Sequence, residues 1–228
     1  MSVIIPYDKI VSTERQKLQK GMNFRCNPNY SVFLMSMMKN APFKDEVAAD
    51  GRVLIYEGHN VHKNYTDQDP YLVNQPRFTP KGSLTENGKF EKAALDFKEG
   101  HKEPEIIRVY EKIKAGIWSF NGIFKLMDVY EKQEIKRSVF KFILILTDKT
   151  VEDFKLENEI KEHARMIPSH VKVEVWARDK GQCTECGSSD HLHFDHIVPY
   201  TKGGTSLSAE NIQLLCARHN LQKSDRII

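Results

Sequence analysis

Two pairs of soft ligands stand at metal-binding spacing in the last quarter of the chain. Cys183-x-x-Cys186 forms a knuckle whose thiolates can share one ion, and Cys216-x-x-His219 repeats that spacing. Four such donors in two pairs suit a closed tetrahedral Zn²⁺ site. A domain of about sixty residues has little core, so the ion would do much of its folding work. Cys26 stands alone, and one CxxC in a reducing compartment argues for metal over disulfides. Between the knuckles lie Asp195-His196 in an apolar-flanked strand (HFDHIVP), then Gly203-Gly204, Asn211, and a strand-like Ile212–Leu215 leading into a helix near Cys216.

This order of residues resembles the HNH nuclease family, the ββα-metal finger. The match runs through Asp195-His196-Ile197-Val198-Pro199, Gly203-Gly204, Asn211-Ile212-Gln213-Leu214-Leu215-Cys216 and Asn220 with Lys223, covering residues 173–226. His219 stands where the family often has its fourth cysteine and is assigned to zinc. Asn220 stands where the family often has its last histidine. Adjacent helix positions point about 100° apart, so His219 can face the zinc while Asn220 faces the active site. A rival assignment gives His219 to the catalytic ion and leaves zinc three thiolates.

The resemblance implies phosphodiester hydrolysis. Neutral His196 would take a proton from an in-line water, Asp195 and Asn220 would hold one hard divalent ion (Mg²⁺ or Mn²⁺), and Asn211 would tie down the loop that orients the histidine. The rival reading is a zinc ribbon that only binds DNA. His191 and His193 are left without a role.

The elements that must carry these residues belong to a chain of 228 residues, long enough for one large domain or two small ones. Charged residues are 29% and mean hydropathy is −0.52, and no run approaches a membrane span. The opening MSVIIPYDKI lacks a signal-peptide pattern, so a cytoplasmic protein is expected. A net charge of only +3 means that any DNA affinity comes from local placement of lysines and arginines. Polar residues 13–20 predict a short helix. Tyr30–Met38 predicts a buried strand or apolar helix, and Arg52–Tyr56 a strand. Residues 59–82, with Pro70, Pro76 and Pro80, predict a long loop. Gly88–Lys98 carries a helical stripe, and Glu105–Tyr110, Gly122–Tyr130 and Ser138–Leu146 predict strands, with Asn121-Gly122 as a turn before the second. The charged stretch 148–170 predicts a connecting helix. The domains expected are 1–148, a linker at 149–170, and 171–228.

The residues alone make the first domain an α/β binding domain without a catalytic constellation. Tyr56-Glu57-Gly58, Leu84-Thr85-Glu86-Asn87, Ile107-Arg108-Val109-Tyr110, Phe120-Asn121-Gly122 and Val139-Phe140-Lys141-Phe142 follow one another in an order that resembles the SRA (YDG) domain over about 41–146. Asn121 replaces the family's aspartate, and its glycine-rich run is reduced to Gly58-His59-Asn60. The resemblance implies an α+β protein: an SRA/PUA-like curved mixed sheet followed by the ββα-metal domain. It also implies a pocket for a flipped 5-methylcytosine, with Phe43 and Tyr56 as walls and Asp45 or Glu46 accepting from the base amino group. Glu57 is placed in the same pocket. Ordinary core packing is the alternative for Phe43 and Tyr56, and a solvated loop for Asp45 and Glu46. His62, Lys63, Arg77, Lys81 and Asn87 are candidates to contact DNA.

The expected function is a modification-dependent DNA endonuclease acting on double-stranded, cytosine-modified DNA. One site cuts one strand, so a homodimer is expected. The alternatives are an HNH nuclease reading unmodified sequence and a non-catalytic zinc-containing DNA-binding protein.

Overall fold

In the computed structural model, residues 2–18, 20–38, 41–48, 51–147 and 166–223 are described. Ten strands form one mixed sheet: β1 (Ser2–Pro6), β2 (Met22–Asn27), β3 (Tyr30–Met35), β4 (Glu46–Ala48), β5 (Val53–Glu57), β6 (Ile106–Lys114), β7 (Ile117–Gln133), β8 (Ser138–Thr147), β9 (Leu192–His196) and β10 (Ile212–Cys216). Among the described residues they are accompanied by four α-helices: α1 (Tyr7–Glu14), α2 (Glu86–Lys98), α3 (Ser169–Arg178) and α4 (Ala217–Lys223).

β3 is apolar almost throughout because both its faces are covered. Phe33 and Met35 point into a core shared with Phe90 and Ala94 of α2, whereas Tyr30 and Val32 point into a second cluster with Ile10 of α1. Its pairing with β6 is parallel. α2 starts at Thr85, whose hydroxyl accepts from the Gly88 amide.

β7 organises the sheet. Its start pairs with β1 and β6, and from Ile123 onward it pairs with β8. The expected turn at Asn121-Gly122 is not there. Both residues lie inside β7 beside an irregularity in its pairing with β6, and the turn falls at Ala115-Gly116 instead. Gly122 has φ +117, and a Cβ there would meet Leu146, so the glycine serves strand packing rather than a turn. The expected helix at 13–20 ends at Glu14, where Arg15 turns left-handed at φ 55. The expected loop at 59–82 holds two short 3₁₀ turns, Lys63–Tyr65 and Pro70–Leu72. The connecting helix falls mostly on residues outside those described.

α3, β9 and β10 enclose a core of their own, including Val171, Val175, Leu192, Phe194, Ile212 and Leu214, and α4 lies against the hairpin of β9 and β10. β1 joins it to the rest: it pairs with β7 along one edge and with β9 along the other, and Ile4 packs on the C-terminal core. Lys172 of α3 adds a buried tie, its ammonium 2.8 Å from Glu111 on β6 and 2.5 Å from the Asn121 amide oxygen. Among the described residues no helix is long and apolar enough to cross a membrane.

Candidate active site and metal centre

The ligand atoms of Cys183, Cys186, Cys216 and His219 all lie within 4.8 Å of one another. His219 turns Nδ1 toward the sulfurs, 3.4 Å from Cys183 and 3.5 Å from Cys216, and Cys186 and Cys216 are 3.9 Å apart. Three thiols and an imidazole at this separation fit a tetrahedral ion. Burial pushes the Cys183 thiol up, but hydrogen bonds from the Cys216, Glu185 and Cys186 backbone and from His219 outweigh it and bring it to about 6. A thiol so easily ionised readily gives the thiolate, the form that binds a metal.

β9 and β10 form an antiparallel hairpin with His196 opposite Ile212 and Asp195 opposite Gln213. Asp195 and His196 thus sit at the strand end, beside the loop 197–211. Asn211 closes that loop with its whole amide: Oδ1 accepts from the Val198 amide (2.8 Å), and Nδ2 donates to the carbonyls of Val198 (3.0 Å) and Thr205 (2.9 Å). Gly204 is needed in the same turn, since a Cβ there would fall 1.8 Å from the Val198 carbonyl oxygen.

α4 lies against the hairpin end. Asn220 and Lys223, three residues apart and so on one helix face, are its buried residues. The Lys223 ammonium lies 2.7 Å from the Asp195 carboxylate and also donates to the His196 carbonyl. The lysine therefore brings Asp195, His196 and the Asn220 face of α4 into one place. His196 Nε2 meets the buried Ser206 hydroxyl at 2.8 Å. Burial pushes the imidazole below its ordinary value against the opposing charge of Asp195, and Lys223 pushes it the same way as burial. Lys223 appears in the sequence match only as a motif letter, and Ser206 not at all; the signal for either lies in three dimensions.

Of the base-pocket candidates, Phe43, Tyr56 and Glu57 meet at one cavity by the end of β5, whereas Asp45 and Glu46 are not among its lining residues. A cavity of about 1030 Å³ is lined by Phe43, Tyr56, Glu57, His62 and Lys63. Tyr56 is at the same time core: its ring lies 4.2 Å from that of Phe33, and its hydroxyl donates to the Leu34 carbonyl. Glu57 is buried in an ionic cluster, its carboxylate 3.0 Å from both Arg137 and Lys141 and accepting from the Lys44 amide. Asp45 is buried beside it and accepts from the Glu57 amide (2.9 Å). Burial drives the Asp45 carboxyl up to about 7 despite that hydrogen bond and the charge of Lys141. Glu46 is exposed, 3.9 Å from Lys141. The cluster clamps the Phe43–Glu46 segment against the wall of the cavity.

The DNA-contact candidates separate. His62 and Lys63 are exposed on the cavity rim, and Lys81 is exposed next to it. Arg77 is held by Glu91 and Glu131 and covers the Phe140 ring. Asn87 is buried and staples the loop, accepting from the His59 amide and donating to the His59 and Pro76 carbonyls. Exposed aromatics that sequence reasoning passed over, Tyr65, Tyr71 and Phe78, also line the cavity. Their loop has no periodicity to mark them.

Residues 183–226 match the HNH endonuclease family. No curated protein matches the chain. Among solved structures, the SUVH5 SRA domain with hemi-methylated CG DNA is similar at a TM-score of 0.43 and 18% identity, over 64% of this chain and 86% of that one. The type IV phosphorothioation-dependent restriction endonuclease ScoMcrA is similar at a TM-score of 0.41 and 12% identity, over 97% of this chain and 55% of that one.

Proposed function

We propose that this chain is a metal-dependent DNA endonuclease whose C-terminal HNH site hydrolyses phosphodiester bonds and whose N-terminal half reads a modified cytosine. The observation that carries the nuclease reading is the meeting of Asp195 and His196 with the Asn220–Lys223 face of α4, inside the segment that matches the HNH family. A general base and oxygen ligands at one strand end suit phosphodiester hydrolysis better than a bare zinc ribbon, which has no need of them.

His196 accepts the proton of a water aligned with the scissile bond. That water's oxygen bonds to phosphorus, the bond to the 3′ oxygen breaks, and the 3′ oxygen takes up a proton from solvent. Asp195 and Asn220 offer oxygen donors of the kind that Mg²⁺ or Mn²⁺ prefers. When bound, such an ion neutralises charge on the phosphate and the leaving oxygen. Cys183, Cys186, Cys216 and His219 hold a structural zinc apart from this chemistry.

For the reader, the support is the cavity flanked by Phe43 and the exposed rings of Tyr65, Tyr71 and Phe78. Aromatic faces stack an extruded base at about 1–3 kcal/mol each, and Lys63 and Lys81 suit neighbouring phosphates. One nuclease site per chain makes a homodimer the simplest route to cutting both strands of cytoplasmic foreign DNA.

The test compares cleavage of one duplex sequence carrying cytosine, 5-methylcytosine, 5-hydroxymethylcytosine or a phosphorothioate linkage, with Mg²⁺ or Mn²⁺. Preferential cutting of the methylated or hydroxymethylated duplex, lost in H196A with binding retained, is expected. Equal cutting of all four overturns the reader, and an inactive wild type overturns the nuclease.

A further inference from the structure

Asn211 is bonded to the loop and not to the imidazole. Its amide is fully used on Val198 and Thr205. The group that touches the His196 ring is the next residue along, Ser206, 2% exposed, with its hydroxyl 2.8 Å from Nε2. Asn211 therefore fixes Thr205, the backbone carries that position to Ser206, and Ser206 fixes the ring.

We propose that Ser206 is the positioning residue for His196: its hydroxyl oxygen accepts from Nε2–H, which leaves the Nδ1 lone pair as the one proton acceptor of the site. This rests on the nuclease reading above for its catalytic meaning, although the tautomer it states does not. A hydroxyl and an imidazole nitrogen at 2.8 Å can bond in either sense. Proton uptake decides between them. Once Nδ1 takes the water proton, both ring nitrogens carry hydrogen, so Ser206 must then be the acceptor. If it already accepts in the resting protein, the bond persists through the step without rotation of the hydroxyl. Were Ser206 the donor, the hydrogen would sit on Nδ1 and the one lone pair, on Nε2, would already accept from the Ser206 hydroxyl, leaving no acceptor for the water proton. Among the described residues nothing bonds Nδ1, and it is not among the side-chain atoms buried without a partner. Its lone pair is the one left for the water proton.

The test is made on the full, zinc-loaded chain labelled with ¹⁵N-histidine. Two-bond N–H correlation spectra identify the His196 ring by its loss in H196A and report which nitrogen carries hydrogen. The wild type is expected to show the Nε2–H form, and S206A a mixture of both tautomers. Cleavage by S206A should fall about 10- to 100-fold in kcat with KM for DNA little changed, and S206T, which keeps the hydroxyl, should recover most of the loss and the Nε2–H signal. A wild-type Nδ1–H tautomer overturns the proposal, as does an S206A protein with unaltered tautomer and rate. A Ser206-dependent Nε2–H signal in a protein that cuts no substrate upholds the positioning and overturns the nuclease reading instead. Should S206A fail to fold, the wild-type spectrum and the S206T comparison still decide the tautomer.

Discussion

Lys223 and Asp195 form a buried ion pair at 2.7 Å, with 1% and 7% of their side chains exposed. The same ammonium donates to the His196 carbonyl, so one charge from α4 pins both ends of the Asp195-His196 dipeptide.

Replacing that lysine leaves a carboxylate buried without its countercharge. K223M should destabilise the C-terminal unit by about 3–5 kcal/mol, whereas K223M combined with D195N should recover part of the loss. Urea denaturation of the single and double variants measures this as a cycle. Additive losses would show that the pair is not coupled.

Zinc analysis should return one tightly held ion per chain, and H219A or C183A should release it. Because Trp176 packs on the C-terminal core, its fluorescence should report melting of that unit when a chelator removes the metal. A chelator-treated protein with unchanged fluorescence and thermal stability would show that the four ligands are not needed for folding.

Asp45 gives a pH dependence of definite sign. Its carboxyl stands at about 7 in the folded protein against 3.8 for the free group, chiefly because burial disfavours the charge. The folded state thus holds a proton that the unfolded chain gives up. That contribution is fully present below about pH 4, is lost progressively up to about pH 7, and is constant above. D45N keeps an oxygen for the Glu57 amide and carries no charge. Its stability relative to wild type should rise between pH 4 and pH 7 and then level off. A difference that falls with pH would contradict the buried carboxyl.

At the join between the two halves, Lys172 and Glu111 are 0% and 1% exposed in their side chains, 2.8 Å apart. Burial pushes the lysine below its ordinary value, opposed by the Glu111 charge. K172M should cost about 3–5 kcal/mol, and K172M with E111L much less than the sum of the singles. Thermal and urea melts of the four proteins check it.

Much of the C-terminal site is visible in one dimension because its ligands come in short-range pairs. The x-x spacing of Cys183 with Cys186 and of Cys216 with His219 is local geometry, and so is the strand that carries Asp195 and His196. β3, β5, β8 and α2 likewise show in apolar runs and stripes, since period 2 and period 3.6 are properties of the chain itself. Asn121-Gly122 misleads for the opposite reason. A turn-like dipeptide sits inside β7 because Leu146 packs where a Cβ would stand, and packing of that kind has no local signature.

The order of residues by itself determined which groups are available for chemistry: the four metal donors, the Asp195-His196 pair, Asn211 and Asn220, together with the apolar periodicities that make strands and helices around them. Only the tertiary structure decided what those groups touch. It used β1 to bind β7 and β9 into one sheet, set Lys223 on Asp195, turned Ser206 onto His196, and committed Glu57 and Asn87 to internal bracing rather than to a surface. The physical reason is range. Spacing along a helix or strand follows from backbone geometry within a few residues, whereas a buried charge finds its partner only after folding has removed water from both.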